Sequence, residues 1–144
     1  MLVRKSTAVW QGTLKEGKGR MFPGSGAVEF AFSFGSRFEN GAGSNPEELL
    51  GAAHAGCFSM ALSGALSQAG FPPREIATEA RVTMDRTAEG FTITRSDLVT
   101  EADVPGIDAG LFARLAEEAK KGCPVSRALK GVEITLQATL VSRG

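Results

Sequence analysis

Asn45-Pro46-Glu47-Glu48-Leu49-Leu50-Gly51-Ala52-Ala53-His54-Ala55-Gly56-Cys57-Phe58-Ser59-Met60-Ala61-Leu62-Ser63-Gly64-Ala65-Leu66-Ser67-Gln68-Ala69-Gly70-Phe71-Pro72-Pro73 is the stretch that decides the fold. Asn45 is a good N-cap and Pro46 suits the first helical position. Glu47 lies where the positive end of the helix dipole favours a carboxylate, and Glu48, at the third position, is expected to close a capping box. Gly70 is placed to end the helix and Pro72-Pro73 forbid its continuation. These signals predict a helix of about 24 residues, roughly 36 Å long.

No charged side chain occurs between Glu48 and Arg74. A helix lacking a charged face is expected to be buried all round, and so short a chain has few other elements to wrap it. A second copy of the chain is the expected cover, giving an intertwined dimer. A membrane span is the rival reading from length alone. The run is mostly Ala, Gly and Ser, with His54 and Gln68 inside it and few large apolar residues to favour lipid. Small residues instead let another helix approach closely.

Outward from the helix, the chain of 144 residues reads as one domain spanning 1–144. Residues 6–14 form an expected strand and 15–19 a turn. Residues 27–34 alternate, with Val28, Phe30, Phe32 and Phe34 on one face. Residues 35–44 read as a loop delivering the chain to Asn45. Beyond the helix, Ile76, Thr78, Ala80, Val82 and Met84 share a strand face, and a second strand runs from Phe91 to about Asp103. Its alternation changes phase between Ile93 and Leu98, which predicts a bulge. Asp108 caps a helix with apolar positions Leu111, Phe112, Leu115, Ala116 and Ala119. Cys123-Pro124 opens a further short helix reaching about Lys130, and a last strand carries Val132, Ile134, Leu136, Ala138 and Leu140. The fold class is therefore α+β: two or three N-terminal strands, a long central helix, a β-hairpin, a helical pair and a C-terminal strand.

Sixteen basic and sixteen acidic residues cancel, and no basic stripe appears, which argues against nucleic acid and membrane surfaces as partners. Met1-Leu2-Val3-Arg4-Lys5 turns polar at once, so a cytoplasmic setting is expected. Two cysteines outside any Cys-x-x-Cys pair, with a single histidine, do not make a usual zinc set, and neither metal nor cofactor is expected.

Cys57 sits in mid-helix, where the dipole offers little, so a low pKa there needs a nearby cation. Arg37 is the nearest basic residue in sequence. Cys123 starts a helical segment, where free backbone N–H groups favour its thiolate, and by that reasoning alone it is the more acidic thiol. His54 precedes Cys57 by one turn and is placed to orient or deprotonate it. Against these stand the ordinary alternatives: a buried cysteine acting as a small hydrophobe, a solvated arginine, a packed histidine.

Pro46-Glu47-Glu48-Leu49, then Ala52-Ala53-His54-Ala55-Gly56-Cys57-Phe58-Ser59-Met60-Ala61-Leu62, then Gly122-Cys123-Pro124-Val125-Ser126 together resemble the osmotically inducible protein C / organic hydroperoxide resistance (OsmC/Ohr) family. Trp10-Gln11-Gly12, Arg37-Phe38-Glu39 and Val104-Pro105-Gly106-Ile107-Asp108 extend the likeness over nearly the whole chain. Gly-Cys-Pro-Val-Ser and the position of Arg37 are closer to the OsmC branch. The resemblance implies a thiol peroxidase acting on organic hydroperoxides. Cys57 is then the attacking thiol and Cys123 the resolving thiol, joined as a disulfide that a dithiol reductant, lipoyl-type rather than thioredoxin-type, reopens. Arg37 would stabilise the Cys57 thiolate, and Glu47 would orient Arg37. Glu47 and Cys57 are about 15 Å apart along a straight helix. Either the helix breaks, at Gly51 or Gly56, or Arg37 and Glu47 serve the cysteines of a partner subunit; the second is favoured by the expected dimer. Phe38, Phe58 and Met60 are candidates to line a pocket for an apolar peroxide tail. Two further readings are a non-catalytic dimeric small-molecule binder and a redox sensor of the same fold.

Overall fold

The computed structural model describes residues 1–142 and divides into two compact units, one of residues 1–49 and one beginning at Leu50. In the first unit, β1 (Ser6–Gln11), β2 (Lys18–Pro23) and β3 (Phe30–Phe32) form an antiparallel sheet in that order. Two sequence expectations are corrected here. β2 starts inside the expected turn, because its Lys-Gly-Arg start hides a strand whose partners supply the pairing. Gly19 is needed in it: a Cβ there would fall 2.6 Å from the rings of both Trp10 and Phe32, which pack with centroids 5.3 Å apart. The expected loop also contains a helix, α1 (Phe34–Phe38), so Phe34 leaves the strand. Ser33 and Ser36 exchange side-chain bonds with each other's backbone N–H, a capping box made of two serines. Five residues are too few for hydrophobic periodicity to announce a helix.

The helix predicted from Asn45 to Gly70 is present as α2 (Pro46–Gln68), unbroken. Asn45 Oδ1 accepts from the Glu48 N–H at 2.8 Å. The Glu48 carboxylate does not close the expected box; it accepts from the Ser44 hydroxyl at 3.0 Å. At the C-terminus Gly70, with φ of 92°, donates to the Ser67 carbonyl while Phe71 donates to Leu66, a Schellman closure.

In the second unit, β4 (Glu75–Thr87) and β5 (Gly90–Asp103) form the expected hairpin. Thr83 pairs with Arg95 and Met84 with Ile93, so Thr94 is the extra residue of a bulge where the phase change predicted one. The chain then passes through α3 (Ala109–Gly122) and α4 (Pro124–Ala128) and returns as β6 (Glu133–Val141), parallel to β5. Parallel pairing needs a long crossover, and the helical pair provides it. The core joins Phe58, Leu62 and Leu66 of α2 and Phe112, Leu115, Ala116 and Ala119 of α3 to Leu98 and Ala102 of β5. Burial of α2 follows one stripe, Gly51, His54, Phe58, Leu62 and Leu66, while Ala52, Ala53, Gly56, Met60 and Gly64 stay exposed. A single chain thus covers one face of α2, not all of it.

Candidate functional site

His54 and Phe58 lie on the buried stripe of α2, and Cys57, one residue off it, is half-buried at its margin. Cys123 closes α3 by donating its N–H to the Ala119 carbonyl at 3.0 Å and caps α4 with its side chain. Pro124 then occupies the first position of α4, where no amide is needed. The next two amides both go to sulfur. Val125 N–H donates to Cys57, and Ser126 N–H donates to Cys123 Sγ at 3.4 Å. The two thiols are neighbours, close enough for Cys123 to act on the Cys57 thiol. One turn of backbone therefore holds two sulfurs that lie 66 positions apart in the chain, from 57 to 123.

Burial pushes the Cys57 thiol above its ordinary pKa, the Val125 amide opposes that shift, and neighbouring Cys123 adds to it. Desolvation thus outweighs the amide, and a thiolate at Cys57 needs further positive charge.

His54 is fully buried and bonded away from Cys57, so of the two readings open to it the packed histidine holds and the pairing with Cys57 does not. Its Nδ1 lies 2.7 Å from Ser96 Oγ of β5 and its Nε2 2.8 Å from Ser126 Oγ of α4. The imidazole points inward because position 54 falls on the core stripe, whereas Cys57 is rotated off it. Burial lowers the histidine pKa, which keeps the ring neutral near pH 7. Ser126 Oγ in turn sits 3.1 Å from Cys123 Sγ. Neither serine stands out in the sequence; the one usable signal is that Ser126 is the third residue after a capping Cys123.

In the N-terminal unit Arg37, on α1, grips Glu47, at the start of α2. Arg37 Nη2 donates to Glu47 Oε1 at 2.8 Å and Nε to both carboxylate oxygens at 3.2 and 3.3 Å. Ser36 Oγ donates to the Ser44 carbonyl at 2.6 Å and Asn45 Nδ2 to the Ser36 carbonyl at 3.0 Å, so both helix ends are tied together around the pair. Glu47, not Glu48, is the arginine's carboxylate, as expected. Arg37 also lies over the Phe38 ring, 5.3 Å from its centroid, and borders a cavity of about 240 Å³ walled by Trp10, Leu14, Phe32, Phe34 and Phe38. Of the residues considered for an apolar pocket, Phe38 takes part, Phe58 is core, and Met60 is exposed on α2.

The continuity of α2 removes the alternative in which it breaks at Gly51 or Gly56. Its length and hydropathy would suffice to cross a membrane, but Phe58, Leu62 and Leu66 are spent on the core.

Comparison with known proteins matches residues 39–137 to the model of the family described as OsmC-like protein. Peroxiredoxin OsmC of Escherichia coli (strain K12) is 50% identical over 140 residues, 96% of this chain and 97% of that protein. The organic hydroperoxide resistance protein of Xanthomonas axonopodis pv. citri is 32% identical over 98 residues, 67% of each. The crystal structure of the organic hydroperoxide resistance protein OhrB of Bacillus subtilis has the same fold, with a TM-score of 0.72 at 22% identity, covering 95% of this chain and 98% of that one. With half of its residues shared across nearly its full length, and with its two-cysteine site on a matching fold, the chain belongs to the OsmC-like family.

Proposed function

We propose that this protein is a cysteine peroxidase that reduces organic hydroperoxides to alcohols in peroxide defence. The observation that carries this reading is the pair of thiols, Cys57 and Cys123, brought together as neighbours at the first turn of α4. The Cys57 thiolate attacks the terminal peroxide oxygen, the O–O bond breaks, and the alkoxide leaves as alcohol. Cys57 becomes a sulfenic acid. Cys123 then attacks that sulfur, the S–S bond forms, and hydroxide departs as water with the proton of the Cys123 thiol. A dithiol reductant of lipoyl type reopens the bridge by exchange.

Arg37, held by Glu47, is the cation that reverses the unfavourable setting of Cys57 and receives the peroxide oxygens. We assign that pair to the cysteines of a second copy, in a homodimer that covers the uncharged exposed face of α2. The aromatic cavity beside Arg37 suits the organic part of the substrate. The family match runs across the boundary between the two units, which supports their acting as one OsmC-like domain. A reducing cytoplasm would supply the dithiol.

The test is consumption of cumene hydroperoxide with dihydrolipoamide as donor, alongside a thioredoxin system. Cys57→Ser should abolish turnover, whereas Cys123→Ser should react once and then stall or over-oxidise. Loss of the first reaction in Cys123→Ser alone would reverse the roles. Consumption of a single equivalent by the unmodified protein, with both donors present, would favour the redox-sensor reading.

A further inference from the structure

We propose that His54 is a positioning residue for the resolving step: through Ser126 it takes up the proton of the Cys123 thiol as that sulfur attacks the sulfur of Cys57. The inference rests on the peroxidase reading for its biological role, but on its own geometry for its chemistry.

Four side chains form a continuous buried line. Ser96 Oγ lies 2.7 Å from His54 Nδ1, His54 Nε2 lies 2.8 Å from Ser126 Oγ, and Ser126 Oγ lies 3.1 Å from Cys123 Sγ. Their exposures are 1%, 0%, 5% and 1%, so bulk water does not compete for the bonds. With the imidazole neutral and Nδ1–H donated to Ser96, Nε2 accepts the Ser126 proton and Ser126 accepts that of the thiol. As the S–S bond forms, the Cys123 proton moves to Ser126 and the Ser126 proton to Nε2. The imidazolium so formed keeps its Nδ1–H on Ser96. When the leaving group departs from Cys57 sulfur it takes one proton in net, and the relay returns to its starting state.

A core histidine that merely packs needs partners, but it does not need one that touches a reacting sulfur. Cys123 is itself 1% exposed, so a solvent base reaches its thiol only rarely, and the resolving attack requires a thiolate. A relay inside the core removes that obstacle. Of the two thiols, Cys123 at the cap of α4 meets the imidazole through Ser126, and Cys57 lies one turn along α2 with its own bonds directed elsewhere. On β5 the residues flanking Ser96, Arg95 and Asp97, project to the opposite face and bond to one another. On β4, Glu79 and Arg81 pair with each other at an exposed position, and Glu133 of β6 pairs with Arg95.

The test loads Cys57 with one equivalent of a chromogenic aryl disulfide. Loading itself releases a first arylthiolate; Cys123 then attacks Cys57 sulfur, the Cys57–aryl S–S bond breaks, a second arylthiolate is released and counted, and the proton left on the imidazole is lost to solvent afterwards. This arm needs no peroxide, so failed hydroperoxide turnover beside normal release would sink the peroxidase reading and leave the relay standing. In the unmodified protein, release should be nearly independent of pH from about 7 to 8, above the lowered histidine pKa, where the neutral imidazole is fully available as base. His54→Gln keeps hydrogen-bonding capacity and removes basicity. It should leave loading within about threefold, slow release about a hundredfold, and make release climb about tenfold per pH unit, because hydroxide must then do the work of the missing base. Ser126→Ala, a small truncation that keeps the backbone N–H on Cys123, should show the same profile. The double variant should be no slower than either single one, because both cut one line. A flat profile retained in both single variants, or equal slowing of loading and release, would overturn the proposal.

Discussion

At Cys57 two influences oppose one another, and the stronger is the wrong one for a nucleophile. Desolvation and Cys123 favour the protonated thiol, and the Val125 amide alone favours the thiolate. A guanidinium is what the proposed reaction still requires, and Arg37, the residue proposed for it, has a forked grip on a carboxylate only 8% exposed. Arg37→Ala should slow oxidation of Cys57 by cumene hydroperoxide about a hundredfold, as expected for loss of one preorganised charge donor. Arg37→Lys should recover little of this, because an ammonium lacks the planar fork. Glu47→Gln should cost about tenfold by loosening the arginine while leaving it charged. Stopped-flow measurement of sulfenic acid formation checks all three; an unchanged rate in Arg37→Ala would remove Arg37 from the site.

Among the elements, α2 shows how much local chemistry can specify. Its cap, its proline start and its glycine end are all legible and all present. Gly70 adopts φ of 92°, and a Cβ there would meet nothing within 4 Å, so Gly70→Ala loses conformational freedom and gains no clash. It should lower unfolding free energy by about 1–2 kcal/mol, read by chemical denaturation. β5 carries a different kind of tie. Arg95, and secondarily Thr135, hold the Asp97 carboxyl below the usual carboxylate range. That pairing contributes stability above the unfolded-state pKa of about 3.9, and the contribution disappears as pH falls through the lower folded value. Asp97→Asn should therefore reduce stability at neutral pH and flatten the acid limb of a stability–pH curve below about pH 4. The elements that escaped the sequence were β2 and α1. One is a strand begun by Lys-Gly-Arg, and the other a five-residue helix capped by two serines in a stretch that reads as loop. Short elements borrow their stability from neighbours, so their own residues say little.

For the whole molecule, the uncharged exposed face of α2 and the Arg37–Glu47 pair converge on a proposed dimer with sites completed in trans. Mixing inactive Arg37→Ala with inactive Cys57→Ser, after unfolding and refolding together, should restore activity. Half of the dimers formed are mixed and each carries one intact site, so recovery should reach about a quarter of the native rate. No recovery, with mixed dimers verified by mass, would mean that Arg37 serves its own chain.

Sequence alone determined the long helix and its ends, the hairpin and its bulge, the α+β class and the two thiols worth examining. Each is written in signals that act within a few residues: caps, period, phase, turn chemistry. Only the tertiary structure decided that β6 lies parallel to β5, that α4 presents successive amides to two sulfurs, and that His54 turns from Cys57 toward Ser96 and Ser126. Those serines lie 42 and 72 positions away. Spacing on one helix named Cys57 as the histidine's neighbour, but about four turns of burial on the core stripe rotated the ring inward, where hydroxyls from two distant elements satisfied it.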